Sequence, residues 1–216
     1  VEIAPVKNKA GLVYEELRAQ IIDCTLEPGT PINESLFAES LGVSKTPVRE
    51  ALRRLEREGL VSSIAGRGSI VSYITSVNIH ETFEVREIIE CGAARHAAAL
   101  EDKGPFVRRR EALLQLCEAA ERSEESHKDE SYDDLHLEIV DSVGNSRLSQ
   151  LYREILDSIV RIRNSFGPRI SQHRWKHIAE EHLAIIDAII DGDEILAQER
   201  LREHLRNAFN YVISMK

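Results

Sequence analysis

No stretch of this chain is long and apolar enough to span a bilayer, which takes about 18 to 20 consecutive apolar residues. The opening segment, Val1 to Lys9, lacks the hydrophobic core of a signal peptide. Both absences lead to the expectation of a soluble, cytoplasmic protein with no membrane partner. Cysteine is scarce: Cys24, Cys91 and Cys117 are odd in number and widely spaced. That excludes a disulfide framework or a CxxC metal knuckle, and leaves reduced thiols among apolar neighbours. Only Cys91 has a cation one turn away, Arg95, of the kind that activates a redox thiolate. Chain breakers are few, 11 Gly and 6 Pro in 216 residues, so most of the chain is free to run as helix. Enzyme motifs are missing as well. There is no HExxH, no glycine-rich phosphate loop and no nucleophile elbow. The one Glu-x-x-His pair, Glu124 to His127, lies in the acidic stretch from Glu118 to Asp134, so the paired motif of di-iron bundles is absent.

What is present divides the chain by charge. The net charge of −9 argues against indiscriminate coating of nucleic acid. Yet between Leu41 and Tyr73, Lys45, Arg49, Arg53, Arg54, Arg57 and Arg67 face only Glu50, Glu56 and Glu58. The same region carries short helical patterns. A first helix over about 11–24 stops before Glu27-Pro28-Gly29, a second follows the N-cap Asn33 and ends at Gly42, and Ser44 caps a third with Pro47 in its first turn. After Gly59 the pattern becomes a two-stranded hairpin: Leu60-Val61, a Gly66-Arg67-Gly68 turn, then Ile70 to Tyr73. A linker is expected at about 74–77, and Asn78 with Glu81 has the spacing of a capping box. Six helices are expected beyond it, over about 78–100, 104–125, 130–143, 146–166, 171–191 and 193–214. The fold class is therefore mostly α: an N-terminal winged helix-turn-helix (1–74) followed by an antiparallel all-α bundle of six helices (78–216).

The helix-turn-helix points to double-stranded DNA, with the third helix in the major groove. Its first turn brings Ser44, Lys45, Thr46 and Arg49, hydroxyls and cations suited to phosphates and base edges. Arg49 is the base reader, because a guanidinium grips guanine O6 and N7 with two hydrogen bonds. Lys45 is a point charge for a phosphate or a looser base contact. Arg53 and Ser35 are further contacts, and Gly66 and Arg67 form a wing tip that can approach the duplex closely. The competing reading, a solvated face of arginines paired with Glu50, Glu56 and Glu58, applies best to Arg53, Arg54 and Arg57.

In the bundle, His136, His182 and His204 each fall on the inward apolar stripe of a different helix. Converging imidazoles suit a divalent transition metal such as zinc, nickel or manganese, and hydrogen-bonded core histidines are the plain alternative. A metal-dependent hydrolase or a metal-binding scaffold would use the same three residues.

Two runs carry a family resemblance. Pro28-Gly29, Glu34-Ser-Leu-Phe-Ala38-Glu and the run from Ser44 through Val61 resemble the winged helix of the GntR regulators. Lys45 stands where that family commonly has arginine. Arg86-x-x-x-Glu90, His136 before Gly144-Asn145, Glu181-His182-Leu183 before Gly192-Asp193, and His204-Leu205 resemble the FCD ligand-binding domain of the FadR branch, with six helices as in its VanR-like subgroup. The resemblance covers nearly the whole chain. It implies a homodimeric repressor of a catabolic operon, a palindromic operator, and a small-molecule effector, a carboxylate, above a metal held by the three histidines. It also implies an aspartate ligand four residues before the first histidine. Tyr132 stands there instead, and Asp133 is the nearest substitute. For the effector, Arg86 is the expected anion clamp, with Asn145, Arg161 and Arg163 as further contacts.

Overall fold

The structure is a computed structural model that describes residues 9–66, 68–122, 131–165 and 172–215, with backbone alone for 121–122, 131–134 and 172–173. Among the described residues the elements run α1 (Lys9–Ile22), α2 (Glu34–Ser40), α3 (Lys45–Arg57), β1 (Val61–Ile64), β2 (Gly68–Val71), then α4 (Ser76–Ala99), α5 (Gly104–Arg122), α6 (Ser131–Asp141), α7 (Ser146–Ser165), α8 (Gln172–Ile190) and α9 (Glu194–Ser214). The chain divides into two compact units. One holds the described residues up to Thr75 together with Val160–Ser165, and the other holds the rest.

In the first unit, Val13, Leu17 and Ile21 line one face of α1 and are buried against Val48, Ala51, Leu52 and Leu55 of α3. Helix α1 ends at Ile22, two residues short of the expected end, because Cys24 takes a left-handed φ of 60°. The side chain of Asn33 accepts from the amides of Ser35 and Leu36 and so starts α2. Pro47 sits in the first turn of α3, where its missing N–H costs nothing. Strands β1 and β2 pair antiparallel from Val61↔Val71 to Ile64↔Gly68. The Pro28-Gly29 turn docks on this hairpin through Gly29 N–H to the Val71 carbonyl, 2.8 Å. Gly29 has φ 86°, and a Cβ there would stand 2.7 Å from the Tyr73 ring, so both backbone and space demand glycine.

The second unit is a helical bundle in which α4 packs on α9, α6 and α8, while α8 also meets α5 and α9. Ala93, Ala94, Ala97 and Ala98 give α4 a buried edge of small side chains, and Ile185, Ile186, Ile189, Leu201 and Leu205 fill the centre from α8 and α9. Two boundaries differ from expectation. Helix α4 begins at Ser76, so Asn78 is already inside it, where its carbonyl accepts from Thr82 Oγ1 instead of capping. The final turn of α7 clusters with the first unit, although its sequence lies inside the bundle segment.

Candidate functional site

The exposed face of α3 carries Lys45, Thr46, Arg49 and Arg53, opposite its buried Val48, Leu52 and Leu55. At 100° per residue Thr46, Arg49 and Arg53 fall on the side away from the apolar positions, and Lys45 is exposed as the first residue of the helix. Ser44 caps α3 by backbone geometry only, its hydroxyl making no capping bond. Arg49 is held through Nε by Glu34 of α2 at 2.7 Å, with its side chain 61% exposed. That bond engages Nε and does not use the donors of the two terminal nitrogens. Arg54 is used differently. Its guanidinium lies 3.5 Å over the Tyr14 ring and bonds Glu58, which also accepts from the Tyr14 hydroxyl, so it fastens α3 to α1. Ser35 is exposed on the first turn of α2 and Gly66 lies at the hairpin tip. Arg67 lies outside the described residues.

In the second unit α6, α8 and α9 bring His136, His182 and His204 together, each at most 4% exposed. One ligating nitrogen from each lies within 4.8 Å of the others. Nε2 of His182 stands 3.4 Å from Nε2 of His204. Tetrahedral bonds of about 2.0–2.1 Å to zinc require an N–N edge of about 3.3–3.4 Å. Carboxylates grip two rings from behind: Glu90 meets His136 Nδ1 at 2.6 Å, and Glu181 meets His204 Nδ1 at 2.7 Å. An ionised carboxylate only accepts, so each ring donates from Nδ1 and keeps the Nε2 lone pair for the centre.

The carboxylates are themselves fixed. Glu90 is fully buried and accepts from Arg86 Nε at 2.7 Å and from the Tyr152 hydroxyl at 2.6 Å. Burial alone would raise its pKa, but the charge of Arg86, with the hydrogen bonds from His136 and Arg86, outweighs burial and holds the carboxyl far below the usual range. Glu181 accepts from Asn207 at 2.8 Å, with Arg174 3.8 Å away. Burial, then the neighbouring histidines, pushes His182 well down. Burial also takes His204 down to about 4, against the pull of its bond to Glu181. Both are neutral imidazoles near pH 7, the form that ligates metal, so the donor set fits a divalent transition metal.

This neutrality sets a pH dependence for metal-free protein. His204 titrates near 4 folded and near 6.5 unfolded, so between these values the unfolded chain binds a proton that the folded chain refuses. Its contribution is complete above about pH 6.5 and is lost as pH falls toward 4. Chelator-treated protein is expected to lose about 2 kcal/mol between pH 7.5 and pH 5 from this group alone. Denaturant titrations at the two pH values check it, and equal stabilities would mean that these rings are not held neutral.

The comparisons with known proteins now bear on both halves. The gntR family of bacterial regulatory proteins matches residues 9–71, and the FCD domain matches residues 81–207. The chain belongs to the GntR family, with an FCD domain. It is 28% identical over 206 residues to the HTH-type transcriptional repressor RspR of Escherichia coli K12, covering 95% of this chain and 89% of that protein. Its fold matches a GntR transcriptional regulator from Rhodococcus sp. RHA1 (TM-score 0.75, 21% identity, 95% of this chain and 98% of that one). It also matches E. coli McbR/YncC (TM-score 0.73, 20% identity, 95% and 97%). The chain is therefore a DNA-binding transcriptional regulator, which removes the hydrolase alternative.

For this GntR-family regulator, the residues expected at the effector site are divided between the two units. Arg86 is buried beside the histidines, bonded to Glu90 and with its guanidinium 5.2 Å from the Phe83 ring. Asn145 is an N-cap: its side chain accepts from the amides of Arg147 and Leu148. Arg161 and Arg163 fall in the turn of α7 that clusters with the first unit, where Arg161 is buried and donates to the Ser72 carbonyl. The side chains of Tyr132 and Asp133 lie outside the described residues. A redox role for Cys91 is corrected: the thiol is 2% exposed and burial pushes its pKa up to about 11, so it stays protonated. Sequence reasoning missed the roles of Glu90, Glu181 and Tyr152. The signal for Glu90 was a charged residue one turn from Arg86 on the same helix stripe; Glu181, adjacent to His182 and 100° around the helix from it, carried no such signal.

Proposed function

We propose that this regulator is a homodimeric repressor of a catabolic operon, which binds a palindromic operator and responds to a small organic acid at a metal held by His136, His182 and His204. Zinc suits the donor set best, with nickel and manganese as alternatives. The observation that carries the effector class is the charge around the cluster. Arg86 and Glu90 cancel each other, Glu181 has Arg174 nearby, and the His182 and His204 rings are neutral. A bound divalent ion would supply Lewis acidity and uncompensated positive charge in a buried place, and a carboxylate answers both. Arg86 supports it from the α4 side. A cavity of about 20 Å³ beside His182, bordered by Arg109, Leu113 and Leu135, has room for about one water. To change DNA binding, the organic acid must bind one conformation of the regulator better than another.

On DNA, Arg49 reads a base while Glu34 holds its Nε; Ser35, Ser44, Lys45, Thr46, Arg53, Gly66 and Arg67 serve phosphates and groove edges. Arg49→Ala is expected to weaken binding to the operator about 10- to 100-fold while leaving competitor DNA binding within a few fold. Gel-shift titrations on both DNAs test this; equal losses on the two would remove the base-reading role.

A further inference from the structure

Helix α4 uses only one side in the bundle. Its buried positions, among them Ile79, Phe83, Arg86, Glu90 and Ala94, face α6, α8 and α9. On the opposite side Val77, Glu81, Ile88, Arg95 and Ala99 fall within about 20° of a single line along a helix of 3.6 residues per turn. Ile88 is 77% exposed and Val77 62%. One exposed isoleucine is ordinary. The order of this stripe is not, because it is complementary to its own reverse. At equal distances either side of Ile88 stand Glu81 and Arg95, an acid and a base, and further out Val77 and Ala99, both apolar.

We propose that α4 is the dimer interface, pairing antiparallel with α4 of a second copy across a two-fold axis at Ile88. This rests on the reading of the regulator as a homodimer and names the surface that makes it one. A two-fold interface is self-complementary, so one stripe supplies both halves of each contact. Ile88 meets the partner's Ile88, Glu81 meets the partner's Arg95, and Val77 meets the partner's Ala99. Gly92 stands opposite the partner's Glu84. Among the described residues, nothing beyond its chain neighbours and the adjacent helix backbone lies within 4 Å of where a Cβ at Gly92 would be. An exposed mid-helix glycine costs about 1 kcal/mol relative to alanine, and here it lets the facing helix approach closely. Glu81 makes no ion pair among the described residues. Arg95 already meets Glu194 at 3.0 Å, and its fork of five N–H donors can serve both carboxylates. Ile195, 67% exposed and next to Glu194, extends the apolar surface at that end. The apolar centre supplies affinity, and the flanking charges set direction and register.

Sedimentation velocity of the full chain over a range of concentrations tests the interface. Wild type is expected to be a dimer. Ile88→Glu, which places two carboxylates at the axis, is expected to raise the dimer Kd on the order of a hundredfold or more with unchanged helicity. Glu81→Arg and Arg95→Glu should each weaken association, and the double variant should recover most of the loss. A wild-type monomer would overturn the dimer reading and the interface with it. A wild-type dimer unaffected by Ile88→Glu would overturn this interface and leave the dimer reading standing.

Discussion

Glu90→Ala is expected to destabilise the second unit by about 3–5 kcal/mol, the range for removing one member of a buried ion pair. The substitution removes a bond from three groups at once: the Arg86 guanidinium, 5% exposed as a residue, the Tyr152 hydroxyl and the Nδ1 proton of His136. Of these the loss at the guanidinium dominates, since breaking a buried ion pair costs more than unmaking a neutral hydrogen bond. Glu90→Gln keeps the shape and part of the bonding, so its loss should be smaller, while Arg86→Met with Glu90→Leu together should recover much of the stability by removing both charges. Denaturant unfolding followed by helicity gives the ordering. A cost below about 1 kcal/mol for Glu90→Ala would mean that Arg86 is solvated and the buried network is not the hub described above.

The second large effect concerns metal. A ligand that binds only the folded state at a thousand times its Kd stabilises by about 4 kcal/mol. Zinc added to chelator-treated wild type is expected to raise the melting temperature by roughly 10 °C, and to do nothing for a variant in which His182 and His204 are both alanine. The metal-free variant should melt within a few degrees of metal-free wild type or above it, since two buried imidazoles with low pKa values are removed. Trp175, the single tryptophan, lies on α8 in the same buried cluster as Ile185 and Ile186 and reports the transition by fluorescence. Equal zinc-induced shifts in the variant and wild type would move the metal to another site.

Much of this was legible in the sequence because the relevant signals are local. Apolar spacing, the Asn33 cap, the Pro47 position and the Gly-Arg-Gly turn specify the winged helix without reference to distant residues. The three histidines were legible because each sits on the apolar stripe of its own helix. Glu90 was not. In sequence Arg86 and Glu90 are one helical turn apart, which is also the spacing of a solvated surface pair. Only the hydrogen bonds that reach α4 from α6 and α7 show that the partners are His136 and Tyr152, far along the chain. Arg161 failed for the converse reason. The earlier turns of its helix belong to the bundle, while the turn that carries it clusters with the first unit and its hydrogen bond goes to Ser72, a contact that no helical period encodes. The start of α4 was misread at Asn78 because an Asn-x-x-Glu spacing recurs inside helices, where tertiary packing and not the cap decides the boundary.

The central claim, that the three buried histidines hold a metal beneath the effector, is tested most directly by counting. Native mass spectrometry with elemental analysis of the full chain, isolated without chelator, should find one divalent transition metal ion per chain, absent from a His136→Ala variant that still binds operator DNA. A bare wild-type chain under the same conditions, or a His136→Ala variant that keeps its ion, would contradict it.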